Sequence, residues 1–159
     1  MKKIILAVGA VGICTAAFAG VQFNFGGVGI SGNNMNYQSS SGFYSSVQAT
    51  VPIQMSTEVG GQLNYMMPTN SNDYSIGGVD LVLKQYLTYP TDFMPYVICK
   101  AGYGIATKSG SNLSGMNIGA GLGVEVGFLN FEVQDQMSTF PGSNNSYVNY
   151  VLGSVGFNF

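Results

Sequence analysis

Histidine and tryptophan are absent from the 159 residues, and cysteine occurs twice, at Cys14 and Cys99. Without histidine, no Ser-His-Asp or Cys-His catalytic set can form, and zinc or haem ligation through imidazole is excluded. Charge is scarce: Asp, Glu, Lys and Arg make up 8% of the chain, against about 25% in ordinary soluble domains. A soluble fold needs more charge than this to cover its surface. Disorder needs low hydrophobicity and high charge, the reverse of this composition. From residue 20 onwards there is also no continuous apolar run of the ~18 residues that mark a membrane helix. If such a chain crosses a membrane, it must do so as a closed barrel. Lipid offers backbone N–H and C=O groups no partners, and only helices and closed sheets supply their own.

The start of the chain reads as a targeting segment. Lys2 and Lys3 precede an apolar stretch from Ile4 to Ala16, and Ala17-Phe18-Ala19 has the small-x-small pattern of a cleavage site. Residues 1–19 are therefore expected to be a cleaved signal peptide, and residues 20–159 a single domain. A retained anchor is the alternative, but the apolar stretch falls short of the ~20 residues a spanning helix needs. Lipid attachment at Cys14 is disfavoured by the bulky Ile13 before it. Without the leader, three lysines face seven acids, a net charge of −4, and no basic stripe exists to hold nucleic acid. Cys99 is then the one remaining thiol, so no intrachain disulfide can form. Between Val97 and Ala101 it reads as a small lipid-facing hydrophobe.

What the chain has instead is alternation. Apolar residues recur at every second position through eight segments, which predicts strands with one greasy face. The expected strands are Val21–Ser31, Gly42–Val51, Ile53–Met67, Tyr74–Tyr89, Pro95–Thr107, Gly115–Phe128, a seventh ending near Ser138, and Tyr147–Phe159. A bulge at Gly26-Gly27 is expected, because Phe25 and Val28 fall on opposite parities. Turns are expected at Pro52, at Pro90–Met94 and near Leu129-Asn130, and polar loops over 32–41, 68–73, 108–114 and 139–146. Longer polar connections thus alternate with shorter ones, as an antiparallel up-and-down transmembrane β-barrel requires. Aromatic residues gather near strand ends: Phe23, Phe25, Tyr89, Phe93, Tyr96, Phe128, Phe131, Phe157 and Phe159 toward the turns, and Phe43, Tyr65, Tyr74, Tyr103, Phe140 and Tyr147 toward the loops. Two aromatic belts around an aliphatic band match the two water–lipid interfaces.

The same parity sends six charged residues inward: Glu58, Asp80, Lys84, Lys100, Glu125 and Glu132. Asp135 falls on the apolar face, near the far end of its strand. An eight-stranded barrel is just wide enough for side chains to fill, and ionised groups away from bulk water must be paired or hydrated. Hairpin registers place Glu58 beside Lys84, Lys84 beside Lys100, and Glu125 beside Glu132. The expectation is a lumen salt-bridge network of the two lysines with Glu58, Glu125 and Glu132; separate hydrated charges are the alternative. Gly119, Gly121, Gly123 and Gly127 leave part of the inward wall bare, where water could collect. Gly119-Ala120-Gly121-Leu122-Gly123 has the look of a dinucleotide loop, but it lies inside an alternating strand with no helix after it. No cofactor, metal site or catalytic residue is expected.

The last segment carries a family resemblance. In YVNYVLGSVGFNF, Tyr147, Val151, Val155, Phe157 and Phe159 share one face and the chain ends on an aromatic residue. This resembles the closing strand of bacterial outer-membrane β-barrels. With the leader, the eight strands and the loop parity, the resemblance extends over the whole of residues 20–159, to small eight-stranded outer-membrane proteins of the OmpX/OmpA-barrel type. It implies residence in the outer membrane, contact with outer-membrane lipid and lipopolysaccharide, and insertion by the assembly machinery, which reads the closing strand as its signal. It implies a structural, adhesive or host-interaction role, with a narrow passive pore for small solutes or ions as the alternative and a lipid-modifying enzyme as a third reading that the missing histidine weakens. The loops Asn33–Ser41 and Phe140–Ser146 are the best candidate recognition surfaces, and a monomer is expected. A soluble secreted barrel would need the opposite facing, with apolar residues inside and charges outside.

Overall fold

The computed structural model describes residues 20–33, 40–70, 74–88, 91–108, 111–141 and 146–159. The leader read at 1–19 lies outside them, as do residues 34–39 and 142–145 of the two candidate recognition loops, and Tyr89. Eight strands follow in order: β1 Gly20–Asn33, β2 Ser40–Gln54, β3 Thr57–Pro68, β4 Ser75–Tyr86, β5 Phe93–Lys108, β6 Ser111–Val126, β7 Leu129–Phe140 and β8 Ser146–Asn158. Each pairs antiparallel with its sequence neighbours, and β1 pairs with β8, so the sheet closes into an up-and-down barrel. Closure removes both sheet edges, and with them the row of unpaired backbone groups an open sheet presents. Both described chain ends lie at the end of the barrel that carries the turns.

The facing of the wall follows the period of two. Leu81 is 72% exposed and Leu122 64%, whereas Lys84 and Glu132 are each 2% exposed. Outward positions are Val, Leu, Ile, Met and aromatics around the circumference. In water this would be an apolar patch far beyond what a monomeric soluble surface carries; in lipid it is the required exterior.

Several expectations change. No bulge interrupts β1: its register against β2 runs unbroken from Gly20↔Thr50 to Ile30↔Ser40. Val28 and Ile30 therefore point inward, where they join Tyr44, Met66, Ile76, Phe140, Tyr150 and Leu152 in a buried apolar cluster at the loop end of the lumen. Phe140 and Tyr96 are buried in the lumen and belong to neither belt; Tyr74 packs partly buried against the loop-end cluster. Pro52 does not end its strand. It sits inside β2, where the register against β3 shifts; an irregularity tolerates a residue that lacks an N–H, and the strands turn at Met55-Ser56. Only Ser109 and Gly110 separate β5 from β6, in place of the seven-residue loop expected. The β6–β7 turn is Gly127-Phe128, two residues before the expected one. Gly127 has φ +60°, which a two-residue hairpin loop demands and which glycine adopts without strain.

Asp135 faces outward at the middle of β7, across from Ala120 and Val151, and not near a strand end. Its company there is Asn149: with the amide oriented to donate, Asn149 Nδ2 lies 3.3 Å from Asp135 Oδ1. The inward glycines are covered by their neighbours. Gln136 lies over Gly119, Gln134 over Gly121 and the Tyr96 ring over Gly123. Glycine here makes room for a long side chain from the next strand, in the manner of aromatic rescue. Gly127 belongs to the turn.

Two substitutions test this wall. A Cβ at Gly123 would overlap the Tyr96 ring, whereas one at Gly153 meets open space. Gly123→Ala is expected to cost about 1–3 kcal/mol and Gly153→Ala to stay within about 0.5 kcal/mol of the parent, measured by urea unfolding from lipid vesicles. In the same assay Asp135→Leu is expected to stabilise the barrel by about 1 kcal/mol or more, since it removes a carboxylate from the lipid face.

Candidate functional site

The inward side chains form three layers along the barrel axis. The loop end is the apolar cluster described above. The middle is polar and neutral apart from Asp80, with Asn24, Ser46, Gln48, Gln62, Asn117 and Ser138 buried together around the wall. The turn end is aromatic and charged: Tyr86, Tyr96, Val82 and Ile98 pack together beside Lys84, Glu125, Lys100 and Glu132.

These charges make two separate ion pairs, not one shared network. Lys84 Nζ donates to Glu125 Oε1, and Lys100 Nζ lies 3.4 Å from Glu132 Oε1. Each carboxylate takes further donors. Tyr86 Oη lies 3.1 Å from both Glu125 oxygens. Glu132 accepts from Tyr96 Oη at 2.7 Å and from Gln134 Nε2. Lys84 Nζ also sits 4.0 Å from the Tyr96 ring centroid and 5.0 Å from that of Tyr86, close enough for each π-face to hold the cation. Burial of charge is tolerable only with such satisfaction, because the desolvation cost otherwise exceeds the Coulombic gain.

The remaining predicted members stand apart. Asp80 is buried and held by neutral donors, Asn64 Nδ2 on one oxygen and Asn117 Nδ2 at 3.4 Å on the other. Glu58 is half-buried at the turn-end mouth and accepts from Thr50 Oγ at 2.8 Å; among the described residues no lysine lies within ion-pair distance of it. Glu58 does face Lys84 in register. Lys84 stands opposite Ile98, however, with Lys100 opposite Val82, and Glu125 stands opposite Asn130, with Glu132 opposite Gly123. In both hairpins the expected pairing is two residues off. Tyr86, Tyr96 and Gln134 complete the site, and sequence reading did not place them in it. Their inward parity was the available signal.

The closing strand carries Tyr147, Val151, Val155, Phe157 and Phe159 on its outer face, all exposed to lipid. Phe157 stacks with Phe128 at 6.4 Å and Phe159 meets Phe23 edge-on at 5.9 Å between centroids. Val21 and Phe159 exchange two backbone hydrogen bonds, of 3.1 and 2.9 Å, and so lock the seam at the chain ends.

No protein-family profile matches the chain, and no curated protein matches it in sequence. Solved structures do. Neisserial surface protein A, NspA, superposes with TM-score 0.63 at 14% identity, over 88% of this chain and 96% of that one. This chain shares the closed-barrel fold of that protein. The outer membrane enzyme PagL gives TM-score 0.61 at 12% identity, over 86% of this chain and 98% of that one. Ail, the attachment invasion locus protein of Yersinia pestis, solved with the heparin analogue sucrose octasulfate, gives 0.57 at 12%, over 88% and 98%. At these identities the likeness is one of fold, so the activity of this barrel must be argued from its own residues.

Lys84→Met leaves Glu125 charged and buried, and is expected to cost about 3–5 kcal/mol. Adding Glu125→Leu is expected to recover at least half of that loss. Urea unfolding of the single and double variants in lipid vesicles reads both numbers.

Proposed function

We propose that the protein is a closed, non-enzymatic integral outer-membrane barrel that acts through the surface it presents at its loop end, as a structural or surface-interaction protein. One observation carries this reading: packed side chains block the lumen toward both ends. The loop-end cluster holds Phe140, Val148 and Leu152 at 0–1% exposure, and the turn end is blocked by two ion pairs braced by Tyr86 and Tyr96. A filled eight-stranded barrel is a post, and a post set in a membrane works through what it holds above the lipid.

Three of the four lumen carboxylates that could serve as acid or base are engaged by lysines or amides, and the fourth, Glu58, accepts from Thr50 Oγ. Lys84 and Tyr86 hold Glu125, Lys100 and Tyr96 hold Glu132, and Asn64 and Asn117 hold Asp80. PagL is an enzyme on the same fold, so the non-enzymatic reading rests on those engaged groups and on the missing histidine. A polysulfated sugar such as the sucrose octasulfate in the Ail structure is not the partner this reading favours. Of the five lysines, two lie in the leader and two in the lumen, which leaves Lys108 at the end of β5.

The chain from residue 20, reconstituted in a planar lipid bilayer, is expected to stay electrically silent. Reproducible single-channel steps would replace this reading with the narrow pore.

A further inference from the structure

The turn-end mouth contains a carboxylate, Glu58, that no lysine among the described residues pairs with. Gly20, Gln22, Thr50, Glu58, Lys84 and Phe159 are among the residues lining a cavity of about 270 Å³ there. Lys84 is committed to Glu125. Glu58 has no ammonium group within ion-pair distance among the described residues. Around the described lumen, four carboxylates (Glu58, Asp80, Glu125 and Glu132) meet two lysines. Gly20 lines the same mouth as Glu58. It pairs with Thr50, whose Oγ is 3.7 Å from where a Cβ on Gly20 would sit and donates to Glu58 Oε2 at 2.8 Å. On the other side Val21 N donates to the backbone oxygen of Phe159 at 3.1 Å.

We propose that cleavage between Ala19 and Gly20 supplies this missing charge: the freed α-ammonium of Gly20 is the counter-ion of Glu58. Hydrolysis adds one water across the Ala19–Gly20 peptide bond. A carboxylate departs with the leader, and an amine stays on Gly20 and takes up a proton. Before the cut that nitrogen is a neutral amide fixed in the backbone. Afterwards it turns freely about the Cα–C bond, and glycine has no side chain to compete with it for the inward direction. Removing the leader thus fastens the mouth at the β1–β8 seam. The titratable groups facing the ammonium are Glu58 on β3, Lys84 and Tyr86 on β4 and Glu125 on β6.

The inference rests on the leader ending at Ala19, and the intact mass of protein recovered from outer membranes reads that separately. A start other than Gly20 removes both the leader boundary and the proposal. With the start at Gly20, three forms are refolded into phosphatidylethanolamine–phosphatidylglycerol vesicles: the free-amine chain, its Nα-acetylated form, and Glu58→Gln with a free amine. Folding of each is checked by its heat-dependent gel migration. Acetylation and Glu58→Gln are each expected to lower the folding equilibrium constant about fivefold, and acetylating the Glu58→Gln chain to change it no further. Equal stability of the free and acetylated chains overturns the proposal, as does a full acetylation effect persisting in Glu58→Gln, which would show that the ammonium acts on a group other than Glu58.

Discussion

Closure of the sheet is the constraint on which everything else in this molecule depends. A backbone group left unpaired in lipid costs several kcal/mol, so the last strand must find the first. The seam is long: β8 runs against β1 from Gln22↔Asn158 to Asn33↔Tyr147, and Val21 and Phe159 add a reciprocal pair beyond it. Once the cylinder is shut, every side chain has one of two addresses. The outer address is apolar because lipid is outside. The inner one is a channel too narrow to stay empty, so what points inward must pack.

That two-way choice explains which features were legible in the sequence. Parity fixes the facing of a residue, and the alternation of Met116, Ile118, Ala120 and Leu122 against Asn117, Gly119 and Gly121 is plain in the chain itself. Partners are a different matter. Moving a turn by two residues returns every side chain to its own face, so Glu125 and Glu132 stay inward whether the β6–β7 turn is placed at Leu129-Asn130 or at Gly127-Phe128. Only the neighbours change. Periodicity cannot sense such a slip; the positive φ of Gly127 decides it.

Apolar residues were misplaced for a related reason. Hydrophobicity alone does not say which of two dry places a residue occupies. The opposite parities of Phe25 and Val28 suggest a bulge that β1 does not contain; Val28 and Ile30 sit in the dry loop end of the lumen. Tyr96 and Phe140 look like belt aromatics because they lie near strand ends. Their even numbers, shared with the inward residues of their own strands, already pointed the other way. Asp135 is the reverse case: its outward facing was read correctly and its depth was not, because depth depends on where the strand ends, the least periodic feature of a β-chain.

The interior then limits what the fold can be used for. Buried ion pairs contribute little net stability compared with well-packed hydrophobes, so Lys84–Glu125 and Lys100–Glu132 are not needed merely to hold eight strands together. Their placement is more telling than their energy. Both lie toward the turn end, each braced by a tyrosine, while the loop end is sealed by hydrocarbon. The two ends are therefore closed by different chemistry. The loop-end seal has no charge to respond to salt or pH, and it gives the residues above it a floor that is dry and fixed. A barrel built this way separates its anchoring part from its presenting part: the wall answers to lipid, the turn end to its buried ion pairs, and the loops stand on the apolar floor between.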